Sequence, residues 1–306
     1  MDIRLKTVRS DAVYRKMLAA APEKRDDIFR YELMSPFQRK WDCYRIPLKA
    51  KHEGGYDIVM ACRMMGLLTA SRFDEDTVAQ VAALEDETLW RRCEDAVRGS
   101  LERFEDEGIE LFEREYVFSL LLADGANIYT KMNENYCGDG GIPGFVMAWL
   151  IPGESTISRI HAALAHETDH NVRFQHQKWH DDITLGEMLV SEGLAENFAA
   201  EMFGEELTGP WVTRTDWDKD GKYIKDKIRP ALGVQGLEQL NAYLYGDEMA
   251  AVQGCEPAGL PYCAGYALGY RLVRHYLDKT GISGAKATIL PAEQILEDSE
   301  DFWDDR

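Results

Sequence analysis

Long apolar runs are missing from this sequence. No stretch reaches 18 consecutive apolar residues, so no membrane span is expected. The opening MDIRLKTVRSDAVYRK has basic residues but no apolar segment behind them, and does not read as a signal peptide. Cysteine is sparse. Cys43, Cys62, Cys93, Cys137, Cys255 and Cys263 are scattered with no C-x-x-C pair. They read as plain buried or surface thiols in a reducing, cytoplasmic setting. Basic residues are in deficit: 35 Lys and Arg stand against 54 Asp and Glu, a net charge of −19. That field repels phosphate backbones, so nucleic acid is not an expected partner. Internal repeats and low-complexity tracts are also absent.

What is present is an ordinary globular composition, 45% hydrophobic and 29% charged over 306 residues. That excludes disorder as the main state and allows one large domain or two small ones. Residues 1–115 read as a helical N-terminal region. Within it, Val78, Val81, Leu84, Leu89, Val97, Leu101 and Phe104 recur at near-helical spacing. The texture changes near residue 116, and residues 116–306 read as a second, catalytic region. Tyr116–Leu122 and Phe145–Ile151 are short apolar runs bounded by turn residues, hence strands. Gly138–Gly144 between them reads as a loop. Ser155–Gln177 and Thr184–Gly204 read as helices, the second opened by a capping box of Thr184 and Glu187. Trp211–Arg229 reads as polar and loop-like at first, Leu237–Tyr245 and Gly265–Leu277 as helices, and the acidic tail Glu297–Arg306 as frayed. The expected fold is α+β, mostly helical, with a small sheet beside the helix that carries the motif below.

One segment concentrates the chemistry: His166-Glu167-Thr168-Asp169-His170, an H-E-x-x-H inside a helical stretch. Four residues advance about 400° around a helix, which puts the two imidazoles roughly 40° apart on one face. They can converge on one zinc ion, while Glu167 falls to the side, in reach of water rather than of the metal. A catalytic zinc takes three protein ligands, so a third is needed. Glu187, Glu192 and Glu196 on the next helix are the candidates. Glu187 already serves the capping box. Glu192 and Glu196 share a stripe with Leu185, Leu189, Ala199 and Phe203. A carboxylate on such an apolar stripe wants a cation. Glu192 is the favoured ligand. Glu196, one turn on, is placed to accept a hydrogen bond from the far nitrogen of a ligating histidine.

At this point the chain resembles a known group. His166-Glu167-x-x-His170 followed by Ser191-Glu192-Gly193-Leu194-Ala195-Glu196 is similar to the gluzincin, thermolysin-like metallopeptidases. Within them it most resembles an uncharacterised bacterial family described as predicted zinc-dependent proteases. The segments Gly140–Ile151 and Pro261–Leu277 support the narrower match, and the likeness covers roughly residues 115–280. The resemblance implies a zincin-like fold, with zinc ligands His166, His170 and Glu192 and Glu167 as general base. It also implies that the strand before the motif helix, Phe145–Ile151, forms the edge of the cleft and pairs with an extended peptide or protein substrate. Zinc would acidify water, Glu167 would take its proton, and a downstream Tyr or His would donate to the oxyanion. Tyr266, Tyr270 and His275 are the candidates for that donor, Tyr266 being favoured because it follows Gly265 near the helix start.

Two other readings keep the same residues: a non-enzymatic zinc-binding interaction protein, and a zinc amidohydrolase acting on a non-peptide amide. Other suggestive patterns carry less. His176 and His180 also stand four apart but lack the intervening Glu, and read as surface groups. Asp216-x-Asp218-x-Asp220-Gly221 matches half a calcium loop, yet position 12 is Lys227 rather than Glu.

Overall fold

The computed structural model describes residues 3–304. The fold is α+β: four short strands form one mixed sheet, and most of the remaining chain is helical. Two compact units are present, Met1–Gly99 with Phe112–Asn171, and Ser100–Leu111 with Val172–Arg306.

The first unit holds the sheet. Its strands are β1 (Arg4–Thr7), β2 (Glu115–Leu122), β3 (Tyr136–Asp139) and β4 (Phe145–Leu150), in the order β1-β2-β4-β3. β1, β2 and β4 run parallel, and β3 is antiparallel to β4. All six residues of β4 are buried, as expected of a strand covered on both faces. Both apolar runs expected as strands are therefore strands. β1 and β3 were not anticipated, because Arg-Leu-Lys-Thr is short and half polar and Tyr-Cys-Gly-Asp is poor in strand formers. One expectation is overturned. Phe145–Ile151 was to pair with substrate at the edge of the cleft, but β4 lies between β2 and β3, so its backbone is already paired on both sides and β3 is the edge strand beside it.

The β3–β4 hairpin turns through Gly140–Gly144. Gly144 has φ +85°, a conformation glycine adopts without strain, and its carbonyl accepts the Val117 N–H (2.8 Å). That bond starts the β2–β4 register. β4 then leads into the motif helix, Glu154–His176. The Thr156 hydroxyl accepts the Gly153 N–H (3.0 Å) and donates to the Ile151 carbonyl (2.7 Å), which ties the strand end to the first helical turn.

The second unit is helical. Its core joins the helix Leu185–Phe203 to the helix Ala264–Thr280 through Leu189, Leu194, Leu268, Leu272 and Val273. Two glycines set how closely these helices pack. A Cβ on Gly193 would overlap the Gly269 carbonyl, and one on Gly269 would overlap the Leu189 carbonyl. Two expectations fail here. The start of Trp211–Arg229 is not loop-like: Pro210–Thr213 is already helical, and Trp217–Ile228 follows as a helix capped by the Asp216 side chain. The acidic tail is not frayed through residue 304 either. Phe302 and Trp303 are buried in the same core, with Phe302 stacked near Trp217 at 6.4 Å. Composition misled, since two aromatics outweigh the charges around them. Asp305 and Arg306, the rest of that tail, lie outside the described residues.

The expected capping box is present. Thr184 accepts the Glu187 N–H (3.2 Å), and the Glu187 carboxylate accepts the Thr184 N–H (2.7 Å). Burial raises the Glu187 carboxyl, but the Thr184 N–H and hydroxyl and the His180 ring together hold it below its usual value. Such a group stabilises above its unfolded pKa of about 4.3, and the contribution fades as pH falls through the lower folded value.

Two outcomes follow for stability. Gly193→Ala must push the two helices apart and should cost about 1–3 kcal/mol in urea unfolding. Thr184→Ala should cost about 1 kcal/mol at pH 7 and less once pH drops below about 4, read from urea midpoints at both pH values.

Candidate metal centre

The motif helix is buried on every side from Ala162 to Arg173. This is not a solvated polar face. His166 (5% exposed), Glu167, Thr168, Asp169, His170 (7%), Asn171 and Arg173 all lie inside. Buried polar groups demand partners. Thr168 donates to the Leu164 carbonyl (2.7 Å), and Arg173 donates to the carbonyls of Thr288 (2.7 Å) and Leu290 (3.0 Å). Asn171 is tied to the β3–β4 hairpin. Its amide nitrogen donates to the carbonyls of Gly140 (2.9 Å), Ile142 (2.9 Å) and Phe145 (2.8 Å), and its oxygen accepts the Gly144 N–H (2.8 Å).

His166 and His170 stand edge to face, ring centroids 4.8 Å apart. Together with Glu192 they form a group whose ligand atoms all lie within 4.8 Å of one another. Two imidazoles and one carboxylate are a donor set that a catalytic zinc takes, so these residues fit the ion the sequence implies. From Leu189 to Ala200, Glu192 is the residue that is only half-buried, among neighbours that are fully buried.

Glu167 is held from the sheet side. Its Oε2 accepts the Gly140 N–H at 2.6 Å. Two glycines make room for this contact. A Cβ on Gly138 would run into the Glu167 carboxylate, and one on Gly140 would overlap the Glu167 carbonyl. Sequence reasoning saw Gly138–Gly144 as a loop and missed that its glycines seat the hairpin against the motif helix. Asn171 was missed as well. The available signal was an asparagine, a poor helix former, in mid-helix directly after the motif.

The remaining candidates separate by their partners. Glu187 belongs to the capping box, and it also faces His180, whose ring bridges Asp182 (2.8 Å) and Glu187 (3.0 Å). Glu196 accepts from the Gly209 N–H (2.6 Å) and the Trp211 indole (2.8 Å), so both its oxygens anchor that segment. Tyr266 lies close enough to Glu192 to feel its charge. Burial and then that carboxylate hold its hydroxyl well above the usual pKa, so it remains a donor, and it meets the Tyr245 hydroxyl at 2.9 Å. Tyr270 instead accepts from Arg274 (3.3 Å), and His275 pairs with Asp301 (3.3 Å) against Phe302. His176, at the end of the motif helix, bonds the Glu110 carbonyl (2.8 Å). The half calcium motif opens a continuous helix, with Asp216 as its cap, rather than forming a loop that wraps an ion.

An H-E-x-x-H helix and a glutamate from the next helix, on a mostly helical α+β fold, define the class as that of candidate zinc-site proteins. Comparison narrows it: the chain belongs to the family described as Predicted Zn-dependent protease (DUF2268), which it matches over residues 89–297. That match reaches beyond the residues on which the sequence resemblance rested. Among relatives, it is 39% identical over 284 residues to the uncharacterized protein YjfC of Bacillus subtilis (strain 168), covering 92% of this chain and 94% of that protein. It is 31% identical over 153 residues to the uncharacterized protein YjaZ of the same organism, covering 49% of this chain and 55% of that protein. No solved structure matches this chain.

Asn171→Ala would strip four hydrogen bonds from the hairpin and leave buried backbone groups unsatisfied. A loss of about 2–4 kcal/mol is expected in denaturant unfolding, well beyond that of an average substitution.

Proposed function

We propose that this protein is a zinc metallopeptidase of the gluzincin kind, with His166, His170 and Glu192 as ligands and Glu167 as general base. The observation that carries the proposal is the meeting of three donors, two from the motif helix and one from the next, while Glu167, the residue after His166, has its carboxylate fixed by the Gly140 N–H. A closed structural zinc site would have no use for that extra carboxylate.

A bound zinc ion would polarise a substrate carbonyl and lower the pKa of water toward 7. The residues do the rest. Glu167 takes the proton from the attacking water and returns it to the leaving amine. Tyr266, kept protonated by its surroundings, donates to the oxyanion. β3, as the edge strand, offers backbone groups to which an extended peptide can add. Peptide or protein is therefore the proposed substrate. Among the described residues no helix is long and apolar enough to cross a membrane. The proposed setting is the cytoplasm, supported by the sparse, scattered cysteines.

Purified protein should carry about one zinc per chain and cleave peptides from a mixed library. Glu167→Gln should keep the zinc and lose about 10²–10⁴-fold in kcat. Tyr266→Phe should lose about 10²-fold in kcat with KM little changed. Absence of stoichiometric zinc, or a Glu167→Gln enzyme as active as wild type, would refute the proposal.

A further inference from the structure

Lys40 is a wholly buried lysine in the helix Gln38–Cys43, remote in sequence from the motif. Its Nζ lies 2.6 Å from Asp139 Oδ1, and the Asp139 side chain is 14% exposed. Burying such a pair is costly, and an apolar pair of like volume often serves stability as well. Its placement explains what the charges do. Asp139 is the last residue of β3, directly before Gly140. The same Oδ1 accepts the Gly141 N–H (3.1 Å) and the Tyr44 hydroxyl (3.3 Å), while Nζ also sits 4.9 Å from the Tyr44 ring centroid. The turn Asp139-Gly140-Gly141 is thus fixed from below by one carboxylate. Its middle residue is then gripped by the motif helix: Gly140 N–H to Glu167 (2.6 Å) and Gly140 carbonyl from Asn171 (2.9 Å).

We infer that Asp139, its buried charge matched by Lys40, is a positioning residue that sets the rotamer of Glu167 through the Gly140 peptide. The inference rests on the peptidase reading for its consequence in catalysis, but not for the tie itself. Lys40 touches neither substrate nor metal in this scheme. It neutralises and orients Asp139, Asp139 holds the Gly141 N–H, and the turn so formed presents the Gly140 N–H to the base. An ångström of drift in a general base can cost about 10²-fold.

Two double variants separate this role from a merely structural one. Both remove the buried charges and so avoid leaving either ion unpaired. Lys40→Met with Asp139→Asn keeps an acceptor for the Gly141 N–H, whereas Lys40→Met with Asp139→Leu keeps none. Amide hydrogen exchange on the metal-free protein is the first readout. Peptides covering 139–144 should keep near wild-type protection in the Asn double and exchange at least 10-fold faster in the Leu double, with similar urea midpoints for both. Turnover is the second. The Asn double should retain kcat within a few-fold, and the Leu double should lose about 10- to 100-fold in kcat at nearly constant KM and full zinc content. Equal protection in the two doubles, or a Leu double as active as wild type, overturns the inference. If the exchange difference appears while wild type cleaves no peptide, the tie stands and the peptidase reading falls.

Discussion

The structure turns on the burial of a polar helix segment. From Ala162 to Arg173 the motif helix has no solvated face, yet more than half of its side chains there are polar. Each such group loses water and must regain its hydrogen bonds or a charge partner inside the protein. Much of the surrounding architecture answers that demand. The β3–β4 hairpin delivers backbone groups to Glu167 and Asn171, and the segment near Thr288 delivers carbonyls to Arg173. His166 and His170 are answered differently, by convergence with Glu192 on a group suited to a cation.

Glycine is how these answers become sterically possible. Gly138 and Gly140 let the hairpin backbone reach the motif helix, and Gly193 and Gly269 let the helix that carries Glu192 lie against Ala264–Thr280. In both places backbone meets backbone or carboxylate at a distance no side chain would permit. The candidate metal-binding and catalytic groups therefore sit on regular elements whose spacing is set by absent side chains, a more exacting support than mobile loops would provide.

Much of this was readable before any coordinates. H-E-x-x-H has a fixed angular meaning on a helix, which named His166 and His170; the apolar stripe favoured Glu192 over its neighbours, and the family resemblance implied it as the third ligand, although Glu196 is the more deeply buried of the two. Thr184 and Glu187 announced a helix start, and the apolar runs announced β2 and β4. Contacts between distant residues were not readable. Lys40 and Asp139 are 99 positions apart, and no local period links them. The edge strand was misplaced for a related reason: β3 pairs through its backbone, with residues that carry little strand propensity. The tail was misjudged because net charge describes solvation on average, whereas Phe302 and Trp303 each find a specific hole in the core.

Those two aromatics bear on how the molecule is made. A chain leaves the ribosome from its N-terminus, and domains fold as their residues become available. The core of the second unit counts Phe302 and Trp303 among its buried members, next to residues as early as Ile183 and Leu185. The unit carrying Glu192 thus cannot complete its packing on its first helix alone: that core closes only once the chain from Ile183 through Trp303 has emerged.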